Sequence, residues 1–435
     1  MKSLGTYCKL VITYLIIATL FITDKGLETR WFFVHWYHFI HILFACYALF
    51  RYHKINKKIL AIYVLIAIYS LVTYNYGLNL VIKQLVNIGF SLVVFYNFIV
   101  FEEFDLLQIF KRYITFSKAV LVLGFIQVFL FMVNQGHLFI ALFPFLSESN
   151  MTVRFQSIAY EPSFIAYVLA PIVFLSFYNL THRISILINK VWSALFAASY
   201  LLTLSTVAYT GILLMLTLLY FKNLTLDKLY GALFVFFLLL IISVTSYVVV
   251  PEIKLRVDDT LYGLSHPITE DENYRIINLS SYALLSNTYV TMQSLNDQLW
   301  TGNGLGTHQL TYDKYLPKRM KAYSSLNRED ANSLALRLLT ETGLIGLLVF
   351  SFFLFRYKTK MKFALDEHEK ILWILNIGIF VMMVMVLIRN GDYTAHGRIL
   401  FLLLYYYSYT FYKNATFHRS SYYSFQGPDI QNEMK

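Results

Sequence analysis

Residues 371–388 read ILWILNIGIFVMMVMVLI, eighteen positions without a charge. Hydrocarbon offers no water to an unpaired N–H or C=O, so a run of this kind closes its hydrogen bonds internally as a helix. Its length is close to the ~20 residues that a bilayer core of ~30 Å requires. An outer-membrane barrel would instead show alternating segments of ~10 residues. The stretch therefore points to a helical membrane protein.

Working outward, runs of the same character occur at 8–23, 31–50, 59–74, 84–101, 114–133, 163–180, 189–204, 207–221, 229–250, 334–355 and 396–412. The expectation is an all-α polytopic membrane protein of about twelve transmembrane helices. The seventh and eighth runs are counted as separate helices, though split only by Leu204-Ser205-Thr206 and easily misread as one. Composition agrees: 58% of residues are hydrophobic, 14% are charged and mean hydropathy is +0.56. Soluble domains carry nearer ~25% charge, so disorder, fibres, coiled coils and ordinary soluble enzymes are excluded. Residues 1–412 form a single integral membrane domain, with a large extracytoplasmic loop at 251–333 between the ninth and tenth helices. Residues 413–435 form a cytoplasmic tail. Cys8 and Cys46 both sit in apolar runs and offer no disulfide or metal framework. The run at Leu10–Ile22 has no small-residue cleavage site, so it reads as a retained helix.

A net charge of +11 could suggest nucleic acid, but topology accounts for most of it. With the N-terminus inside, twenty-one Lys and Arg fall in cytoplasmic segments and tails, and six in the short outer loops. That bias places both termini in the cytoplasm and removes the need for a nucleic-acid partner. Two outer segments are long. Residues 134–161 include an apolar stretch, His137–Phe145, too short to span and suited to the interface. Residues 251–333 are hydrophilic and domain-sized. No internal repeat is visible, which argues against a repeat-built transporter.

Four outer-face motifs carry chemistry. Arg154 precedes Glu161-Pro162-Ser163 at the mouth of the sixth run. Pro162 suits a first helical turn and Glu161 its positive end, so a capped helix explains the motif without function. The functional reading puts Arg154 and Glu161 at a cavity. Asn332, Arg337, Glu341, Gly343 and Gly346 open the tenth run. Arg337 and Glu341 share a helix face as a neutralised pair, and charges in a membrane helix face a bundle interior or water. Leu204 to Gly211 supplies hydroxyls at an outer turn, where satisfied helix ends are the plain account. Arg389 and Arg398 break the positive-inside pattern in the last outer loop; pairing with Asp392 is one explanation and a phosphate partner the other. Three further features are discounted. His35, His38 and His41 read as an interfacial aromatic helix rather than a metal site. Gly302-Asn-Gly-Leu-Gly306 lacks the Lys of a P-loop and reads as a turn or an anion nest. The sequon-like Asn150-Met-Thr is uninformative.

In order, Arg154…Glu161-Pro162-Ser163, the Leu202-Thr-Leu-Ser…Gly211 turn, and Gly302-x-Gly-x-Gly followed by Asn332…Glu341-Thr-Gly343-x-x-Gly346 resemble the superfamily of O-antigen polymerases and O-antigen ligases. The resemblance covers most of the chain. It implies a GT-C-like glycosyltransferase in the bacterial plasma (inner) membrane that polymerises undecaprenyl-diphosphate-linked repeat units of O-antigen, capsule or exopolysaccharide. It implies no cofactor, metal or nucleotide, because the donor is already activated. A chain-length regulator and a flippase are implied partners besides the lipid-linked glycan and the bilayer. The superfamily's ligases carry His-Asn where this chain has Ala331-Asn332, so polymerase is favoured over ligase, and the ligase histidine has no counterpart.

Transfer from a lipid diphosphate needs cations for the leaving group and a base for the acceptor hydroxyl. Arginine's planar, permanently charged fork suits phosphate. Arg154, Arg328, Arg389 and Arg398 are the diphosphate candidates, and Glu161, Asp330 and His308 the base candidates. Pro162, Asn332, Arg337, Glu341 and Gly343 complete the motifs. A lipid-linked oligosaccharide flippase or a non-catalytic assembly partner are the other classes. A flippase would line a central cavity with charge rather than concentrate it at the outer face.

Overall fold

The computed structural model describes residues 2–22, 27–28, 33–34, 36–51, 56–143, 153–220, scattered positions between 241 and 262, 279–317, 326–361 and 366–425. Among these the chain is helical, apart from two-residue strands β1 (Leu27–Glu28) and β2 (Phe33–Val34) that pair antiparallel. The helices are α1 (Lys2–Ala18), α2 (Trp36–Arg51), α3 (Lys57–Thr73), α4 (Leu78–Phe101), α5 (Leu106–Met132), α6 (Gly136–Leu142) and α7 (Pro162–His182). They continue as α8 (Lys190–Leu202), α9 (Thr206–Tyr220), α10 (Leu279–Asp297), α11 (His308–Tyr315), α12 (Leu334–Arg356), α13 (Glu367–Ile388) and α14 (Arg398–Phe425).

Eleven of the twelve apolar runs coincide with a helix. The run at 229–250 falls almost wholly outside the described residues, as do His35 and Asn150-Met-Thr. Five helices, α4, α5, α7, α12 and α13, are long and apolar enough to cross a membrane. Large apolar side chains such as Val72, Phe129 and Phe352 stand exposed, as a lipid-facing surface requires.

The two closely spaced runs stay apart as expected, but each is short. The runs at 189–204 and 207–221 are separate helices, α8 and α9, with thirteen and fifteen residues. At 1.5 Å per residue they reach about 20 and 22 Å, short of a ~30 Å core. Asn189 caps α8 by accepting the Trp192 N–H, and the backbone turns at Leu204 with φ 47°. The last helix runs on to Phe425, past the expected end of the membrane segment at 412.

The bundle centres on α7 and α13, the two most buried of the five long helices. Gly378 of α13 lies against Pro171 of α7, where a Cβ would come within 2.6 Å of the Pro171 Cα. A small residue there lets the backbones approach. Polar groups in this interior are paired. Asn376 donates to Tyr357 O, Tyr405 O and Ser408 Oγ and accepts from Thr359, tying α12, α13 and α14 together. The apolar stretch after α5 becomes the short α6, folded back so that Phe139 buries against Leu130 and Phe131. Within the hydrophilic 251–333 segment, α10 and α11 pack on each other and on α12.

Candidate functional site

The N-terminal ends of α7, α12 and α14 meet the C-terminal end of α13. Ser333 caps α12 and its Oγ donates to Leu387 O at 2.6 Å, fixing α12 to the end of α13. A Cβ on Gly391 would fall 1.4 Å from Asp330 O, so the 330–333 and 389–392 segments touch through bare backbone. Ala331, Asn332 and Asn390 in these two segments, and Asn327 and His396 beside them, all hold positive φ. Ala331 is fully buried at φ 57°. Such strain, on the order of 1–3 kcal/mol per residue, gathers where surrounding structure imposes it, often at functional sites.

The charged groups here divide into one cluster whose members all pair with one another and a second built around Arg398. The first cluster is Arg337 and Glu341 on α12. Arg337 Nε donates to Glu341 Oε1 at 2.9 Å, Nη1 to Gly391 O at 3.1 Å and Nη2 to Gln84 Oε1 at 3.1 Å. Its guanidinium also lies 4.4 Å from the Tyr393 ring centre. Glu341 further accepts the Gly306 N–H at 2.7 Å, the His308 N–H at 3.2 Å and the Tyr393 hydroxyl at 2.9 Å. Burial, and then the Glu341 charge, push the Tyr393 hydroxyl well up, so it stays a donor. The glycine stretch 302–306 is a turn whose Gly306 N–H holds the Glu341 carboxylate of the chain itself. It straps onto α12, with Asn303 N donating to Thr340 O and Gly304 N to Glu341 O. Gly343 breaks the helix there at φ 63°, and its N–H neighbours at 344 and 345 donate back to Leu299 O and Trp300 O.

His308 belongs to the same packed region. It is fully buried, with Nδ1 2.8 Å from Thr340 Oγ1 and Nε2 2.8 Å from Asn287 Oδ1. Burial, and then the Arg337 charge, push its imidazole down to about 3. Two of the expected phosphate ligands are also engaged. Arg154 Nε and Nη2 donate to Thr203 O and Leu204 O at 3.0 and 3.1 Å, closing the C-terminal end of α8. Arg154 O and the N–H groups of Gln156 and Ser157 are held by Gln127 of α5. Arg328 forms a bidentate pair with Asp313.

The second cluster centres on Arg398. Its side chain is 2% exposed, and Nε, Nη1 and Nη2 find no hydrogen-bond partner among the described residues. Asp392, Tyr167 and Asp330 lie within electrostatic reach of it. Burial opposes the Asp392 charge, but Arg398, Arg337 and the N–H groups of Thr394 and Ala395 outweigh it and hold the carboxyl at about 2. Tyr167 of α7 in turn lies within electrostatic reach of Arg398, Arg389, Glu161 and Asp330. Asp330 Oδ1 accepts from Asn327 Nδ2 at 2.9 Å and Asn332 N at 3.2 Å. Glu161 is exposed at the mouth of α7 ahead of Pro162, and its Oε2 accepts from Ser163 Oγ at 3.0 Å. The structure thus gathers Glu161, Asp330, Asn332, Arg389 and Arg398 at one end of the bundle. Tyr167, Gln127 and Asp313 were not singled out from sequence. A glutamine inside an apolar helix was the one available signal.

Among the described residues no group of three or more His, Cys, Asp and Glu is disposed to hold a metal ion. Compared with protein-family models and with curated proteins, the chain matches none.

Proposed function

We propose that the chain is a GT-C-like glycosyltransferase of about twelve spans that polymerises lipid-diphosphate-linked oligosaccharide units at the outer face of a bacterial plasma membrane. The observation that carries this reading is Arg398, buried at a helix-bundle end with no hydrogen-bond partner among the described residues and with carboxylates nearby. A guanidinium so placed lacks the oxygen atoms its fork is shaped to bind. The motif order supports a diphosphate as their source. In this reading Arg398 and Arg389 stabilise the departing diphosphate. Glu161 or Asp330 takes the proton of an acceptor sugar hydroxyl. The hydroxyl oxygen bonds to the anomeric carbon as the bond to the diphosphate breaks. Arg154, Arg328 and His308 hold the fold instead, because each is engaged by other groups of the chain.

The test is purified full-length protein with synthetic undecaprenyl-diphosphate-linked repeat units, read by gel for elongated glycan. The wild type should elongate them. Glu161→Gln, which keeps size and removes the base, should slow elongation by ~10²–10⁴ if Glu161 is the base. Normal elongation by that variant transfers the role to Asp330. Absence of any elongation by the wild type overturns the reading.

A further inference from the structure

Arg398 is not the only buried donor without a partner. The Tyr167 hydroxyl on α7 and Asn332 Nδ2 before α12 are also buried and make no hydrogen bond among the described residues. Tyr167 is 1% exposed and Asn332 7%. Three donors from three separate elements are thus left open at the same end of the bundle. A buried polar group without a partner is uncommon and costs about 1–3 kcal/mol. Other buried phenols in the chain show the usual outcome: Tyr405 donates to Leu354 O and Tyr113 to Val168 O. Asp392 and Asp330 offset the Arg398 charge through space without taking its N–H groups. The charge is thus offset only in part, and the donors not at all. An oxygen-rich group with lone pairs for a phenol, an amide and a guanidinium would complete all three.

We propose that the Tyr167 hydroxyl is a substrate-binding donor that, with Asn332 Nδ2 and the Arg398 guanidinium, grips the phosphate oxygens of a polyprenyl diphosphate. The proposal rests on the function above only for the identity of that anion. It assigns Tyr167 and Asn332 a role in binding, and it makes a thermodynamic prediction opposite to that of a structural tyrosine. A hydroxyl kept for the fold has a partner, so its removal destabilises the free protein. A hydroxyl kept for a ligand has none until the ligand arrives, so its removal leaves the free protein as stable or more so.

The experiment uses the full chain in nanodiscs of phosphatidylcholine, with undecaprenyl diphosphate as the probe, and measures melting temperature and Kd. Tyr167→Phe should melt at or above the wild-type temperature without ligand and bind undecaprenyl diphosphate about tenfold more weakly. Asn332→Gly, which keeps the left-handed backbone accessible, should also weaken binding. Tyr405→Phe, the control, should melt lower and bind normally. Lower melting of Tyr167→Phe with unchanged Kd would overturn the proposal, and so would unchanged values of both. Stabilisation by phosphatidylglycerol with none from undecaprenyl diphosphate would assign the three donors to bilayer headgroups and overturn the proposal as well. Weakened binding in Tyr167→Phe, beside a wild type that elongates nothing, would uphold the binding role and remove the polymerase reading.

Discussion

Arginines of identical chemistry have different jobs here because their surroundings differ. Arg154 reaches two carbonyls at the end of α8 and so acts as a strut. Arg154→Ala should lower stability by roughly 1–3 kcal/mol, seen as lower melting temperature and lower protein yield. Arg154→Lys should recover only part, since a point charge cannot make the same two-pronged contact. Loss of polymer with wild-type stability in Arg154→Ala would return this residue to the substrate site. His308 gives a second test, through pH. Its imidazole is held at about 3 in the folded chain, against ~6.5 when unfolded. Between those values the unfolded chain binds the additional proton. The stabilisation is therefore complete above ~6.5 and is lost as pH falls towards 3, by up to ~1.4 kcal/mol per pH unit. Melting temperatures from pH 7 to 4.5 should fall in the wild type and fall less steeply in His308→Gln.

At the scale of elements, α12 is one apolar run in sequence but two helical pieces in space. Gly343 holds φ 63°, and a Cβ there would lie 2.3 Å from Trp300 O; a Cβ on Gly302 would lie 2.5 Å from the Glu341 carbonyl carbon. Each glycine admits the other's backbone. Gly343→Ala should destabilise by more than ~1 kcal/mol and raise hydrogen exchange at residues 299–308. Unchanged exchange would mean the strap is held elsewhere. The helices themselves were legible in the sequence because composition alone forces a long apolar run to pair its backbone locally. The glycine strap was not, since it joins segments about forty residues apart that share no pattern. The same limit hid the arginine partners. That Arg337 and Glu341 pair follows from their spacing of four. That Arg328 chooses Asp313, or Arg154 two carbonyls, depends on how distant segments pack.

For the whole molecule, the arrangement of charge orients the fold. The Arg398 cluster lies at the end shared by the N-termini of α7, α12 and α14. The opposite end carries Arg112 of α5, paired with Glu102 between α4 and α5, and Lys9 of α1, paired with Glu103. The positive-inside bias would put that second end in the cytoplasm; under the proposed function the Arg398 end then faces outward, where a lipid-linked unit would arrive after crossing the membrane. Single cysteines in a background lacking Cys8 and Cys46 test this in intact cells. Glu329→Cys, exposed beside Asp330, should react with an impermeant maleimide; Lys360→Cys, exposed after α12, should react only once the membrane is opened. The two positions flank α12, one of the five helices long enough to span, so they must label on opposite sides if α12 crosses. Labelling at 360 but not 329 would invert the molecule and put the Arg398 cluster in the cytoplasm. Donor units would then be consumed before export, and the outer-face polymerase would have to give way to an enzyme of the inner leaflet.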